Sequence, residues 1–142
     1  MPEPSQTDQK QTATILLAED DPVVRTMVIE ILKLEGFRVI SAADGQEAYD
    51  YFKEDPAAID LILTDVVMPR MNGKELGRQC REDVPGMRVL FMSGYVDNRL
   101  NPEEDLKGDA DFIAKPFRPA ELLSKVKDLL DGDTTLKPAV GD

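Results

Sequence analysis

Apolar residues along this chain alternate between two spacings. Thr14 to Ala18, Phe37 to Ala42, Ile59 to Asp65, Arg88 to Met92 and Asp111 to Ala114 are short apolar runs, the form taken by strands covered on both faces. Between them the apolar positions recur at helical spacing. Val24, Met27, Val28, Ile31 and Leu32 form one stripe, Ala48 and Phe52 a second, Leu76 and Cys80 a third, and Leu122, Leu123, Val126, Leu129 and Leu130 the last. The punctuation agrees with this reading. Asp21 suits a helix N-cap and Pro22 a first turn, Gly36 a helix stop, Asp44-Gly45 and Asn72-Gly73 helix entries, and Pro119 the start of the last helix. Pro56, Pro85-Gly86 and Asp131-Gly132-Asp133 end segments. The stretch from Val96 to Gly108 is polar and broken by Pro102, near which a short helix is expected to start.

A β-α unit repeated five times implies the α/β class. Right-handed crossovers make it a doubly wound (βα)5 sandwich around a five-stranded parallel sheet, with the flavodoxin-like strand order 2-1-3-4-5. Residues 1–13 read as a disordered lead-in, 14–131 as the folded domain and 132–142 as a flexible tail. Nothing repeats internally beyond this alternation, and no segment is of low complexity.

Composition narrows the function. The chain has 142 residues, enough for one full core. Its formal charge of -11 speaks against nucleic acid or an anionic membrane as a direct partner, and solubility is its bland explanation. There is no histidine, which removes Ser-His-Asp and Cys-His catalysis, histidine-ligated zinc and any phosphohistidine on this chain. The single cysteine, Cys80, excludes an internal disulfide and reads as a small core filler. No apolar run reaches the ~20 residues of a membrane span, and Met1 to Thr12 lacks the apolar region of a signal peptide. A cytoplasmic location without membrane insertion is expected.

In a parallel sheet every strand delivers its C-terminal end to one edge, where such sheets place their ligands. Glu19 and Asp20 follow the first strand, Asp65 ends the third, Ser93 follows the fourth and Lys115 the fifth. Three carboxylates so close repel one another unless a cation intervenes, and an all-oxygen site with few protein ligands suits Mg²⁺, or Mn²⁺ in its place. A metal-bound aspartate at a strand end is a reasonable nucleophile toward phosphorus, with Lys115 neutralising charge and Ser93 donating a hydrogen bond. The Lys115-Pro116 pair would hold the lysine in a fixed turn that admits a cis bond. Taken singly, each residue has a plainer explanation: a helix-dipole charge at Glu19-Asp20-Asp21, a turn at Ser93-Gly94, a helix cap at Asp65, a solvated Lys115. The coincidence of all five at the ends of strands one, three, four and five outweighs those readings.

Leu-Leu-Ala-Glu-Asp-Asp-Pro, Leu-Ile-Leu-Thr-Asp-Val-Val-Met-Pro-Arg-Met-Asn-Gly, Phe-Met-Ser-Gly-Tyr and Phe-Ile-Ala-Lys-Pro-Phe resemble the signature segments of receiver domains of two-component response regulators (CheY-like). The likeness spans about Thr14 to Asp131, with every motif in order. It implies that Asp65 is the phosphoacceptor. Asp20 and Asp65 would bind Mg²⁺ directly, Glu19 through water, and Val67 through its backbone carbonyl. Ser93 matches the switch hydroxyl, Lys115 the lysine that pairs with the phosphoryl group, and Phe112 the switch aromatic whose ring turns inward when that hydroxyl moves. Some positions depart from the pattern. Glu19 replaces the commoner aspartate, Phe112 has no hydroxyl, and the segment around Pro102 puts the usual output helix in doubt. Val67 and Tyr95, at positions that govern access of the hydrolytic water, are bulky and uncharged, so slow phosphoryl loss is expected. The Met-Ser-Gly-Tyr wording is similar to receivers attached to, or working with, hybrid histidine kinases.

By the same resemblance the phosphoryl donor would be a histidine kinase or histidine phosphotransfer protein, or a small acyl phosphate. The chain would be a signalling phosphoacceptor that catalyses only its own phosphorylation and slow dephosphorylation. Phosphorylation would bias the face formed by the segment around Pro102, the fifth strand and the last helix toward a downstream protein. No basic DNA-binding segment follows, so output is expected to be protein–protein or onward transfer, from a monomer, with dimerisation through the last helices the alternative. On the first helix Val23, Val24 and Met27 are candidates for kinase docking, although core packing explains them equally well. Two other classes compete: a metal-dependent phosphatase or phosphotransferase, and a receiver-like scaffold that works without phosphorylation. The first lacks a second acid two residues after Asp65 and a cap domain; the second predicts a missing site residue, and none is missing.

Overall fold

The computed structural model describes residues 12–94 and 105–131. The expected lead-in up to residue 11, Tyr95, the helix expected near Pro102 and the tail from 132 lie outside the described residues.

The five strands β1 (Thr14–Ala18), β2 (Arg38–Ala42), β3 (Leu61–Asp65), β4 (Val89–Ser93) and β5 (Ala110–Ala114) form one parallel sheet in the order β2-β1-β3-β4-β5, the order expected. Among the described residues four helices accompany it: α1 (Pro22–Leu34), α2 (Gly45–Glu54), α3 (Gly73–Asp83) and α4 (Pro119–Leu130). Boundaries differ from expectation by one or two residues. Pro56–Ala58 turn as a short 3-10 helix that holds Ile59, so β3 begins at Leu61 rather than Ile59. β2 starts at Arg38, and β4 runs on to include Ser93.

The apolar strands bury both faces because the sheet has a core on each side. Leu16, Ala18, Ile62, Val89 and Phe91 pack with Ala48 and Phe52 of α2 and with Leu76 and Cys80 of α3. Their strand neighbours Ile15, Leu17, Leu61, Leu63, Leu90 and Met92 face the opposite way, onto Val28 and Leu32 of α1 and Leu122 and Val126 of α4. Period-two alternation thus divides each strand between two helical layers. On α1 one residue of the stripe departs from expectation. Val28 and Leu32 are buried and Val24 and Ile31 pack half-buried against the same core, whereas Met27 stands in solvent, as does its neighbour on the helix surface, Val23. Cys80 is a buried filler of the first core, as expected.

The helix entries follow the local chemistry. The Asp21 carboxylate accepts from the Val23 and Val24 amides at the start of α1, and Gly36, with φ +100°, ends the turn after it. Asp44 caps α2, and Asn72 and Glu75 form a reciprocal capping box on α3.

Candidate functional site

The strand register decides which side chains meet. Ala18 pairs with Thr64, Asp65 with Met92, and Ser93 with Ala114. Glu19, Asp65, Ser93 and Lys115 therefore leave the sheet at one level. The Val66 amide donates to the Met92 carbonyl at 3.1 Å and the Lys115 amide to the Ser93 carbonyl at 2.8 Å, which ties the exits of β3, β4 and β5 together.

Carboxylate oxygens of Glu19, Asp20 and Asp65 lie within 4.8 Å of one another. The Lys115 ammonium sits between two of them, donating to Glu19 Oε1 at 2.9 Å and Asp65 Oδ2 at 3.2 Å. Glu19 is the most deeply held: its side chain is 1% exposed, and its second oxygen accepts from the Asp21 amide at 3.0 Å. Its main-chain carbonyl accepts from the Arg25 guanidinium at 2.7 Å, which fixes the start of the loop. Asp20 is exposed and makes no ion pair within 4.0 Å among the described residues.

This packing perturbs the protonation of the group at its centre. Burial, and then the neighbouring Glu19 charge, push the Asp65 carboxyl up to about 6 against the opposing pull of Lys115. Burial pulls the Lys115 ammonium down, but its hydrogen bond to Glu19 and the charges of Asp65 and Glu19 outweigh that and leave it raised. Three carboxylates against one ammonium leave two negative charges in excess. The donors are all oxygen, and Asp20 opens the cluster to solvent. Such a donor set fits a small hard dication better than a soft metal.

Ser93 is 6% exposed at the end of β4, beside the cluster, whereas Phe112 on the edge strand is 42% exposed. The Phe112 ring is turned out toward solvent, with the Lys125 ammonium 5.9 Å from its centroid. Val67, two residues after Asp65, is half exposed. The Lys115-Pro116 bond is cis.

Three further features support the site that sequence reasoning did not single out. A Cβ on Gly73 would lie 2.1 Å from the Asp65 carbonyl oxygen, and one on Gly45 would lie 1.9 Å from the Met71 carbonyl oxygen. These glycines let the loop from Val66 to Asn72 fold down against β3 and the start of α2. Arg70 in that loop has φ +68° and pairs with Asp44. The glycines and the turn chemistry were visible in the sequence, but no local pattern links Asp44 to Arg70.

The family profile described as "Response regulator receiver domain" matches residues 15–127. The chain is 37% identical over 116 residues to the response regulator receiver protein CpdR of Brucella abortus, covering 82% of this chain and 95% of that protein. It is 36% identical over 127 residues to the sensor kinase CckA of the same organism, covering 88% of this chain and 13% of the kinase. Among solved structures, a response regulator receiver protein from Sinorhizobium medicae superposes with a TM-score of 0.76 at 30% identity, covering 84% of this chain and 95% of that one.

Proposed function

The chain belongs to the response regulator receiver-domain family of two-component signalling, and from that premise we propose that Asp65 is its phosphoacceptor in a Mg²⁺-dependent transfer. Receiver domains are signalling phosphoacceptors rather than metabolic enzymes, and they work with histidine kinases or phosphotransfer proteins. The observation that carries the assignment is the Lys115 ammonium bridging Glu19 and Asp65, with Asp20 completing an acidic cluster within 4.8 Å.

Asp65 Oδ would attack phosphorus of a partner phosphohistidine or an acyl phosphate. An O–P bond forms as the P–N or P–O bond to the donor breaks. Asp20 and Asp65, with the Val67 carbonyl, would hold the cation directly and Glu19 through water. A bound Mg²⁺ supplies charge neutralisation at the transferring phosphoryl oxygens. Lys115 has only to exchange one carboxylate oxygen for a phosphoryl oxygen, because it already donates to Asp65. Ser93 donates to another phosphoryl oxygen.

As Ser93 moves toward the new anion it vacates space beside β5, and Phe112 turns inward from its exposed position. That rearrangement would reshape the face of β5 and α4 for a protein partner. Val67 shields the phosphoryl group from water, and Tyr95, outside the described residues, is proposed to share that role. Val67→Ala should shorten the phosphoryl lifetime, read as decay of the phosphorylated mass, and an unchanged lifetime removes the shielding role.

The test is intact-protein mass after incubation with Mg²⁺ and a small acyl phosphate. One added phosphoryl group on the parent, absent from Asp65→Asn and from parent held in chelator, is the expected result. Adduct on Asp65→Asn, or none from either acyl phosphate or a phosphohistidine donor, would overturn the assignment.

A further inference from the structure

The loop from Val66 to Asn72 carries the Val67 carbonyl, and it is held at both ends and in the middle. The Gly73 amide donates to the Val66 carbonyl at 2.8 Å, which closes the loop at its base. At its far side Arg70 adopts a left-handed backbone, φ +68°, that a non-glycine residue seldom takes without support. Its guanidinium reaches the β2–α2 loop, where Nε at 3.1 Å and Nη2 at 2.5 Å donate to the same Asp44 oxygen. That carboxylate is not a free surface group. Asp44 Oδ1 accepts from the Glu47 amide at 2.8 Å, and Glu47 Oε1 in turn accepts from the Ala43 amide at 2.8 Å. Asp44 is therefore anchored on the first turn of α2 and is only 13% exposed, although Arg70 is 63% exposed. The close seating of Gly45 against the Met71 carbonyl brings the two loops together at the same place.

An ordinary surface ion pair contributes little. This one has a pre-positioned carboxylate, a left-handed partner and a tight backbone contact beside it. We propose that Arg70 and Asp44 form a clasp that sets the main-chain position of Val67 and thereby favours Mg²⁺ over larger dications; the proposal rests on the phosphoacceptor reading above. Both are positioning residues, since neither belongs to the acidic cluster. The physical basis is that Mg²⁺ demands near-ideal octahedral geometry, whereas Ca²⁺ accepts more ligands at longer and more variable distances. A loosened carbonyl ligand costs the smaller ion more.

The experiment is calorimetric titration of Mg²⁺ and of Ca²⁺ into the full chain, for the parent, Arg70→Gly, Asp44→Asn and the double variant. Glycine tolerates the left-handed backbone and asparagine keeps the helix cap, so both variants should fold, which thermal unfolding without metal checks. Removing outer partners of metal ligands costs about tenfold to a hundredfold in affinity, so a more remote clasp should cost Mg²⁺ about threefold to tenfold. Ca²⁺ affinity should stay nearly unchanged, and the double variant should be no weaker than the weaker single one. Equal losses for both ions, no loss for Mg²⁺, or additive losses in the double variant would overturn the clasp. A parent that binds Mg²⁺ but takes no phosphoryl group would overturn the phosphoacceptor reading while leaving the cation comparison to judge the clasp. A parent that binds neither ion overturns both.

Discussion

Asp65 carries its chemistry through a conflict. It is buried beside Glu19 and answered by Lys115, and the net effect is a carboxyl raised from 3.8 to about 6. The folded metal-free protein therefore holds a proton on Asp65 that the unfolded chain releases near pH 4. Between those values the folded state binds more protons, so this contribution to stability is present below about pH 4 and is lost as pH rises to about 6. Asp65→Asn should match the parent near pH 4 and exceed it by about 1–2 kcal/mol at pH 7 without metal, after allowance for solvent at the open rim. Urea unfolding of both proteins across that range checks it, and a pH-independent difference would contradict the conflict. On the proposed reading metal and proton would compete for the same oxygens, so Mg²⁺ affinity should also strengthen as pH rises through about 6.

At the scale of elements, the βα loops decide whether the site is shaped correctly. Gly73 opens α3 directly against the Asp65 carbonyl, so Gly73→Ala must push the loop or the helix aside. We expect a loss of about 2–3 kcal/mol, together with weaker Mg²⁺ binding. Asp21→Ala offers a contrast. It removes the cap from Val23 and Val24 at a cost of about 1 kcal/mol, but the main-chain amide that holds Glu19 remains. Mg²⁺ affinity should then survive while the denaturation midpoint falls. Parallel loss of affinity in Asp21→Ala would mean that the α1 cap, and not only its backbone, shapes the site.

At the scale of the whole molecule, two cores hold one rim of polar residues, where three carboxylates share one ammonium. A cation that binds only the folded state stabilises it by mass action. Mg²⁺ at a hundred times its dissociation constant should add about 2.7 kcal/mol. Asp20→Asn should lose most of that gain while unfolding normally without metal, because Asp20 is exposed and outside both cores. A melting temperature that rises equally in parent and Asp20→Asn would place the cation elsewhere. Phe52→Ala, by contrast, should cost about 3–5 kcal/mol with or without Mg²⁺, since Phe52 is fully buried under α2 and far along the helix from the rim.

The order of elements and of strands was legible in the sequence because both follow from short-range facts. Apolar runs covered on both faces make parallel strands, helical stripes make the covering layers, and crossover handedness leaves few ways to connect them. The candidate set Glu19, Asp20, Asp65, Ser93 and Lys115 followed from the same facts, since parallel strands must exit at one edge. Tertiary structure alone decided how those groups answer one another. Lys115 divides its hydrogen bonds between Glu19 and Asp65, residues 96 and 50 positions away. Met27 turns to solvent although its spacing fits the α1 stripe, because the second core is filled from α1 by Val28 and Leu32 with Val24 and Ile31 half-buried beside them. Arg70 finds Asp44 across 26 residues, and the seats of Gly45 and Gly73 exist only once the β3–α3 loop is folded down. Periodicity and caps are written in neighbouring residues, whereas a charge pair between loops or a contact at van der Waals distance depends on chain closure in three dimensions.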